Sequence, residues 1–202
     1  MSLSELSDDK KNRIEERQKA RYNGSLYMDK IYTITRKIKP KIIVELGRYV
    51  GDSTFAFLSA IENNSNSGFI YSIDIVEPNK IIVDDVNRFN WNKNIEMITS
   101  DALDFADIWK NNHGSRSIDL LYIDDDHSYD HVKNELYKWV PNVKSGGTIL
   151  MDDFLGPPPD DVWRALLDVI RNNILSFSKI EIIPTETQKE WTQRAIGIMV
   201  VI

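Results

Sequence analysis

The chain has 202 residues, 42% of them hydrophobic and 28% charged, with a net charge of −6. These values fit one globular domain with a full three-layer core, and the acidic balance argues against a phosphate-dominated nucleic-acid binder. The absence of cysteine excludes disulfides and thiol chemistry, and no stretch approaches the 18 apolar residues that a membrane span needs.

The N-terminus lacks the apolar stretch of a signal peptide, so a cytoplasmic protein is the expectation. Residues 1–38 read as a helical extension, or lid, ahead of a main domain over 39–202. Within it, residues 9–22 are highly charged, with Ile14 as the one large aliphatic residue. Acids dilute the bases Lys10, Lys11, Arg13, Arg17, Lys19 and Arg21, which predicts an exposed helix with a solvated face.

From residue 41 the pattern alternates between apolar runs and helical spacing. Strands are expected at 41–46, 69–73, 95–99, 118–123 and 148–151, with helices at 53–61, 78–90, 101–110, 129–139 and 160–172 between and after them. Pro78 opens the second of these helices, and Pro141 stops the fourth. Gly146 and Gly147 turn the chain into the fifth strand. Runs at 179–183 and 195–202, joined by a polar loop, suggest an antiparallel hairpin at a sheet edge. Near-continuous apolar strands alternating with helices predict an α/β fold, a doubly wound, mostly parallel seven-stranded sheet covered on both faces. The last run also suits a homodimer contact.

The first strand runs into Glu45-Leu-Gly-Arg-Tyr-Val-Gly-Asp-Ser-Thr54. A glycine turn between a buried strand and a helix seats a nucleotide-like ligand, with Gly47 and Gly51 allowing close backbone approach. Glu45, Asp74, Asp101, Asp124 and Asp152 each end or directly follow an apolar run. In a doubly wound sheet that places them on the rim where ligands bind, and five such acids repel unless cations or donors lie between them. Asp74 suits ribose hydroxyls. Asp101 suits an adenine amino group and also helix capping. Asp124, Asp152 and Asp153, from neighbouring strands, describe a hard-cation site for Mg²⁺, with Ca²⁺ or Mn²⁺ as alternatives. His127 lies at the same mouth and carries imidazole, which titrates near neutral pH, so it is the candidate general base, with Asp126 as its competitor. For His113, in a polar loop, and His131, on a helix, a structural reading is favoured.

The glycine turn resembles motif I of class I S-adenosylmethionine-dependent methyltransferases, and its tyrosine is similar to that of the catechol and caffeoyl-coenzyme-A O-methyltransferases. Ile123-Asp-Asp-Asp-His-Ser-Tyr-Asp-His-Val132, with Lys144-Ser-Gly-Gly147 and Met151-Asp-Asp-Phe154, looks more like the macrocin-type O-methyltransferases of antibiotic sugars. The resemblance covers residues 40–202; Gly24 and Met28 match loosely, near the cofactor lid of such enzymes. It implies the Rossmann-like methyltransferase fold and methyl transfer from S-adenosylmethionine to a hydroxyl of a small molecule, such as a sugar, polyketide or phenol, assisted by a divalent metal. Glu45, Gly47 and Tyr49 would then hold the methionine part. Gly51 and Ser53 would lie at the same pocket, Asp74 would take the ribose, and Ser100 and Asp101 would flank adenine. Asp124 would border cofactor and metal, with Asp152 and Asp153 completing the ligand set. His127 stands where catechol-type enzymes carry a basic lysine, and many family members have glycine in place of Asp125. Phe154, Trp163, Trp191 and the proline-rich loop 155–161 are candidate pocket walls. The alternatives are a cephalosporin-hydroxylase-like enzyme of the same fold and a non-catalytic cofactor-binding protein. A dinucleotide oxidoreductase is disfavoured, because the turn lacks the third glycine of Gly-x-Gly-x-x-Gly.

Overall fold

A computed structural model describes residues 2–19, 25–64, 67–155, 161–172, 175–184 and 195–202. Helices α1 (Asp8–Lys19) and α2 (Ser25–Ile38) precede β1 (Ile42–Leu46), α3 (Asp52–Asn64), β2 (Phe69–Asp74), α4 (Lys80–Arg88) and β3 (Ile95–Thr99). Then come α5 (Ala102–His113), β4 (Ile118–Ile123), α6 (Tyr129–Trp139), β5 (Val143–Met151), α7 (Val162–Arg171), β6 (Phe177–Pro184) and β7 (Ala195–Val201).

One seven-stranded sheet has the order β3-β2-β1-β4-β5-β7-β6. The chain winds outward from β1 to β3, then returns to lay β4 on the other side of β1. The two strands pair in parallel, so the direction of winding reverses between them. Such a reversal opens a crevice at the carboxyl ends of the strands, where ligands bind in folds of this kind. β7 enters antiparallel between β5 and β6, as the hairpin reading expects. The final run is therefore an interior sheet member, and β6 is the edge.

Alternating side chains feed two cores. Ile43, Leu120, Tyr122 and Leu150 pack with residues of α1 to α4, while Val44, Leu121, Ile123, Ile149 and Met151 pack with α5, α6 and α7. This two-sided burial is why the strands read as continuous apolar runs. Among the described residues, no helix is long and apolar enough to cross a membrane.

Two expectations need correction. β5 begins at Val143, ahead of the glycine pair, and Val143 already faces Ile118 across an irregular register. Gly146 and Gly147 thus accommodate a bulge inside the strand, a common use of strand glycine. The α1 helix is not a solvated one. Lys10, Ile14 and Arg17 are each 5% exposed. Lys10 Nζ lies 2.6 Å from Glu62, and Arg17 reaches Asp85 at 2.5 Å and Asp52 at 2.6 Å. The sparse aliphatic content of α1 is offset by ion pairs whose acids sit far along the chain.

Candidate active site

The turn after β1 is held from below and from the side. Beneath it, Glu45 is fully buried, with Oε1 accepting from Ser53 at 2.6 Å and Oε2 accepting from Thr54 at 2.7 Å and Ser72 at 2.5 Å. Burial raises the Glu45 pKa, with the three hydroxyls opposing. Glu45 and Ser53 therefore bond each other inside the protein, tying the start of α3 to the sheet. At the side, Asp74 Oδ2 accepts the backbone N–H groups of Arg48 at 2.9 Å and Tyr49 at 2.8 Å, while Oδ1 accepts that of Val76 at 2.9 Å. Each carboxylate oxygen can accept more than one donor, so Asp74 keeps acceptor capacity toward the crevice. Tyr49 stands 77% exposed with φ +48°.

The close approach that each glycine permits is to the protein itself. Gly47 has φ +85°, and a Cβ there would lie 2.0 Å from the carbonyl oxygen of Asp124. The turn thus rests directly on the end of β4, and the two halves of the rim meet at this contact. Gly51 has φ +83° and clears the Ile82 side chain of α4, which a Cβ would meet at 2.7 Å.

Asp101 caps α5, its Oδ1 accepting from Leu103 N at 2.8 Å and Asp104 N at 3.1 Å. Beside it, the Ser100 N–H donates to the Asp74 carbonyl at 2.9 Å, which brings Ser100 and Asp101 to the Asp74 edge of the crevice.

On the other side, Asp124 Oδ2 accepts from Tyr27 at 2.9 Å and Tyr122 at 2.8 Å, which brings the two phenol oxygens against each other. Burial, reinforced by Asp124 and Asp152, pushes both phenols well above their usual 10.0, so each stays a donor. Asp124 Oδ1 faces His127 Nε2 at 3.5 Å, while His127 Nδ1 faces Asp153 Oδ2 at 3.7 Å. The imidazole therefore stands between two of the three acids assigned to a metal. Among the described residues, the His, Asp or Glu ligand atoms that lie within 4.8 Å of one another belong to Asp125, His131 and Glu135, not to Asp124, Asp152 and Asp153. Asp152, just past the end of β5, and Asp153 are each 8% exposed, and Asp153 has φ +44°. Asp126 turns away to accept Ser128 N at 2.8 Å, a bond that lowers its pKa and weakens it as a base. His113 ends α5, stacked on Trp109 with centroids 4.0 Å apart.

Three site residues escaped the sequence reading. Tyr122 lies two positions before Asp124 on one strand, so strand alternation alone puts both on one face. Arg48, 2% exposed, bonds the carbonyls of Ser72 at 2.7 Å and Val76 at 2.9 Å, bracing the turn against β2. Tyr27 reaches Asp124 from α2, and no local pattern announces it. Phe154 is buried and meets Trp163 edge-on at 5.2 Å, a core role for both. Gly24, Trp191 and residues 156–160 of the wall loop lie outside the described residues.

We expect Tyr27→Phe and Tyr122→Phe each to cost about 1–3 kcal/mol, as loss of a donor to a charged acceptor does. The double variant should cost less than the sum, because both hydroxyls serve one oxygen. Denaturant titration of the four proteins checks this.

A family model described as a methyltransferase domain matches residues 44–154, which holds the turn, Asp74, the Asp124–His127 corner and the Asp152–Asp153 pair. The chain belongs to this methyltransferase family. No curated protein matches it significantly in sequence. Among solved structures, the methyltransferase is similar to an O-methyltransferase from Bacillus cereus in complex with SAH, at 15% identity and TM-score 0.74, over 97% of this chain and 92% of that one. It is also similar to the O-methyltransferase TomG from Streptomyces achromogenes, involved in tomaymycin synthesis and solved with SAM, at 14% identity and TM-score 0.72, over 98% and 91%. A third likeness is the SAH-bound Podospora anserina methyltransferase PaMTH1, at 16% identity and TM-score 0.65, over 98% and 89%. At these identities the likenesses establish the shared fold.

Proposed function

We propose that this methyltransferase moves the methyl group of S-adenosylmethionine to a hydroxyl of a small molecule such as a sugar, polyketide or phenol. The observation that carries this reading is the Gly47 contact, which joins a nucleoside-type edge to an acid and imidazole corner. Asp74, fixed by three backbone N–H groups, would accept the ribose hydroxyls, with Ser100 and Asp101 toward adenine. Tyr49, exposed over the turn, would face the sulfonium, a cation that both an aromatic ring and an acidic rim attract.

Methyl transfer is an in-line displacement. The substrate oxygen bonds the methyl carbon as the carbon–sulfur bond breaks, and S-adenosylhomocysteine leaves. Catalysis then consists mainly of alignment, plus removal of the hydroxyl proton. His127 takes that proton, and Asp124 and Asp153 on either side stabilise the imidazolium. Tyr27 and Tyr122 hold Asp124 in place for this.

The donor chemistry at this corner also suits a hard divalent ion: three carboxylates, two of them nearly buried, in a chain without sulfur ligands from cysteine. Asp124, Asp152 and Asp153 would hold it, and the ion and His127 would draw on the same carboxylates. When bound, it would lower the pKa of the substrate hydroxyl.

His127→Ala is expected to lower kcat about 10²–10⁴-fold, the usual worth of a positioned base, with little change in cofactor affinity. Asp126→Asn should leave kcat near wild type. Steady-state rates with a hydroxylated acceptor check both. The reverse ranking would move the base role to Asp126.

A further inference from the structure

The loop after β4 and the first turns of α6 carry a second group of ligand-type side chains. Asp125 comes from the loop, and His131 and Glu135 from α6, where a spacing of four puts them on one helix face. His131 Nε2 lies 3.2 Å from Asp125 Oδ2 and 3.6 Å from Glu135 Oε1.

Glu135 is the decisive member. It is fully buried, and among the described residues neither of its carboxylate oxygens has a partner at hydrogen-bond distance, the nearest being His131 at 3.6 Å; Asp125 Oδ1 is likewise buried without one. An imidazolium shared by Asp125 and Glu135 would supply one N–H and one positive charge for two carboxylates, whereas a divalent ion balances both. A buried acid without hydrogen bonds is costly whether ionised or neutral. The side chains of Asp125 and His131 are 22% and 20% exposed, which leaves a path in from solvent.

We propose that Asp125, His131 and Glu135 form a binding site for a divalent ion of the zinc type, separate from the acids that flank His127. Zinc bonds nitrogen and carboxylate oxygen at about 2.0–2.2 Å, so neighbouring ligands of a tetrahedral ion lie about 3.4 Å apart. The two contacts of His131, at 3.2 and 3.6 Å, bracket that spacing. One imidazole with two carboxylates suits zinc, and water completes the set on the open side. The ion pins α6 to the segment 124–128 and so braces the Asp124–His127 corner. A chain with glycine in place of Asp125 would lack one of the three ligands.

The test is calorimetry and elemental analysis of tag-free, chelator-stripped full-length protein titrated with Zn²⁺ alone. We expect one Zn²⁺ per chain, retained in His127→Ala, and weakened about tenfold or more in both His131→Gln and Asp125→Gly. Zn²⁺ should also raise the melting temperature of wild type but not of His131→Gln. Those two substitutions carry the test because their side chains are partly exposed, whereas Glu135→Gln alters a fully buried position. No saturable Zn²⁺ binding, or binding that survives His131→Gln and disappears in His127→Ala, would overturn the assignment.

Discussion

Gly47→Ala should abolish measurable cofactor binding and cost the fold about 3 kcal/mol or more. Two terms add. A residue with a Cβ at φ +85° pays about 1–2 kcal/mol for the left-handed conformation alone. The added Cβ would also lie 2.0 Å from the Asp124 carbonyl oxygen, 2.5 Å from its carbon and 2.8 Å from Asp125 N, all backbone atoms that cannot rotate aside. Overpacking of this kind costs about 1–3 kcal/mol. The turn must lift from β4, which parts Asp74 from Asp124 and opens the crevice in the middle. Gly114→Ala is a clash-free control: at φ +74° and ψ 170° nothing lies within 4 Å of the new Cβ, so it should pay a conformational penalty only. Denaturation of both variants, with calorimetry of cofactor binding, separates the clash from the strain.

The second large effect is expected at Asp85, a buried acid on α4 that accepts from Arg13 Nε at 2.5 Å, Arg17 Nε at 2.9 Å and Arg17 Nη2 at 2.5 Å. Arg17 also bonds Asp52 at 2.6 Å and the carbonyl of Val50 at 3.3 Å, so α1 braces the glycine turn as well as α4. Asp85→Ala leaves two guanidinium groups without their main counter-charge, one of them buried. Breaking a buried pair on one side costs about 3–5 kcal/mol, which for a chain of this size lowers the melting temperature by roughly 10 °C. Replacing Arg17 and Asp85 together with Met and Leu should restore much of that loss, since the charge and its partner leave together. Thermal unfolding of the single and double variants distinguishes a working ion pair from plain packing, for which the double variant would be the worse of the two.

What the sequence makes legible follows from the range of each interaction. Helix α6 is readable to the residue because its spacing is local and Pro141 ends it. The capping of α5 by Asp101 is equally local, and so is the hairpin of β6 and β7, whose apolar runs are long and evenly patterned. The gathering of acids at one rim was also readable, since each ends a strand and strand ends of one parallel sheet share an edge. What holds those acids apart was less so. The hydroxyls that satisfy Glu45 come from α3 and β2, the phenols on Asp124 come from α2 and from within β4, and the donors to Asp74 are backbone. Five carboxylates imply cations or donors between them, and hydrogen-bond donors with one imidazole do much of that work.

The burial of α1 was illegible for the same reason. A helix with one large aliphatic residue looks solvated until Asp85 and Glu62 are known to lie beneath it. A histidine on a helix is usually unremarkable, and that hides His131; its partner Glu135 has the right spacing on the same face, but the depth of Glu135 depends on how α6 packs against the sheet. The role of Asp125 turns on the same packing.

The rim from Gly47 to Asp124 is expected to take S-adenosylmethionine, with Asp74 on the nucleoside. Parallel calorimetric titrations of the intact protein with S-adenosylmethionine and with NAD test it most directly. Saturable one-to-one binding of S-adenosylmethionine is expected, and none of NAD. Binding of NAD without S-adenosylmethionine would contradict it.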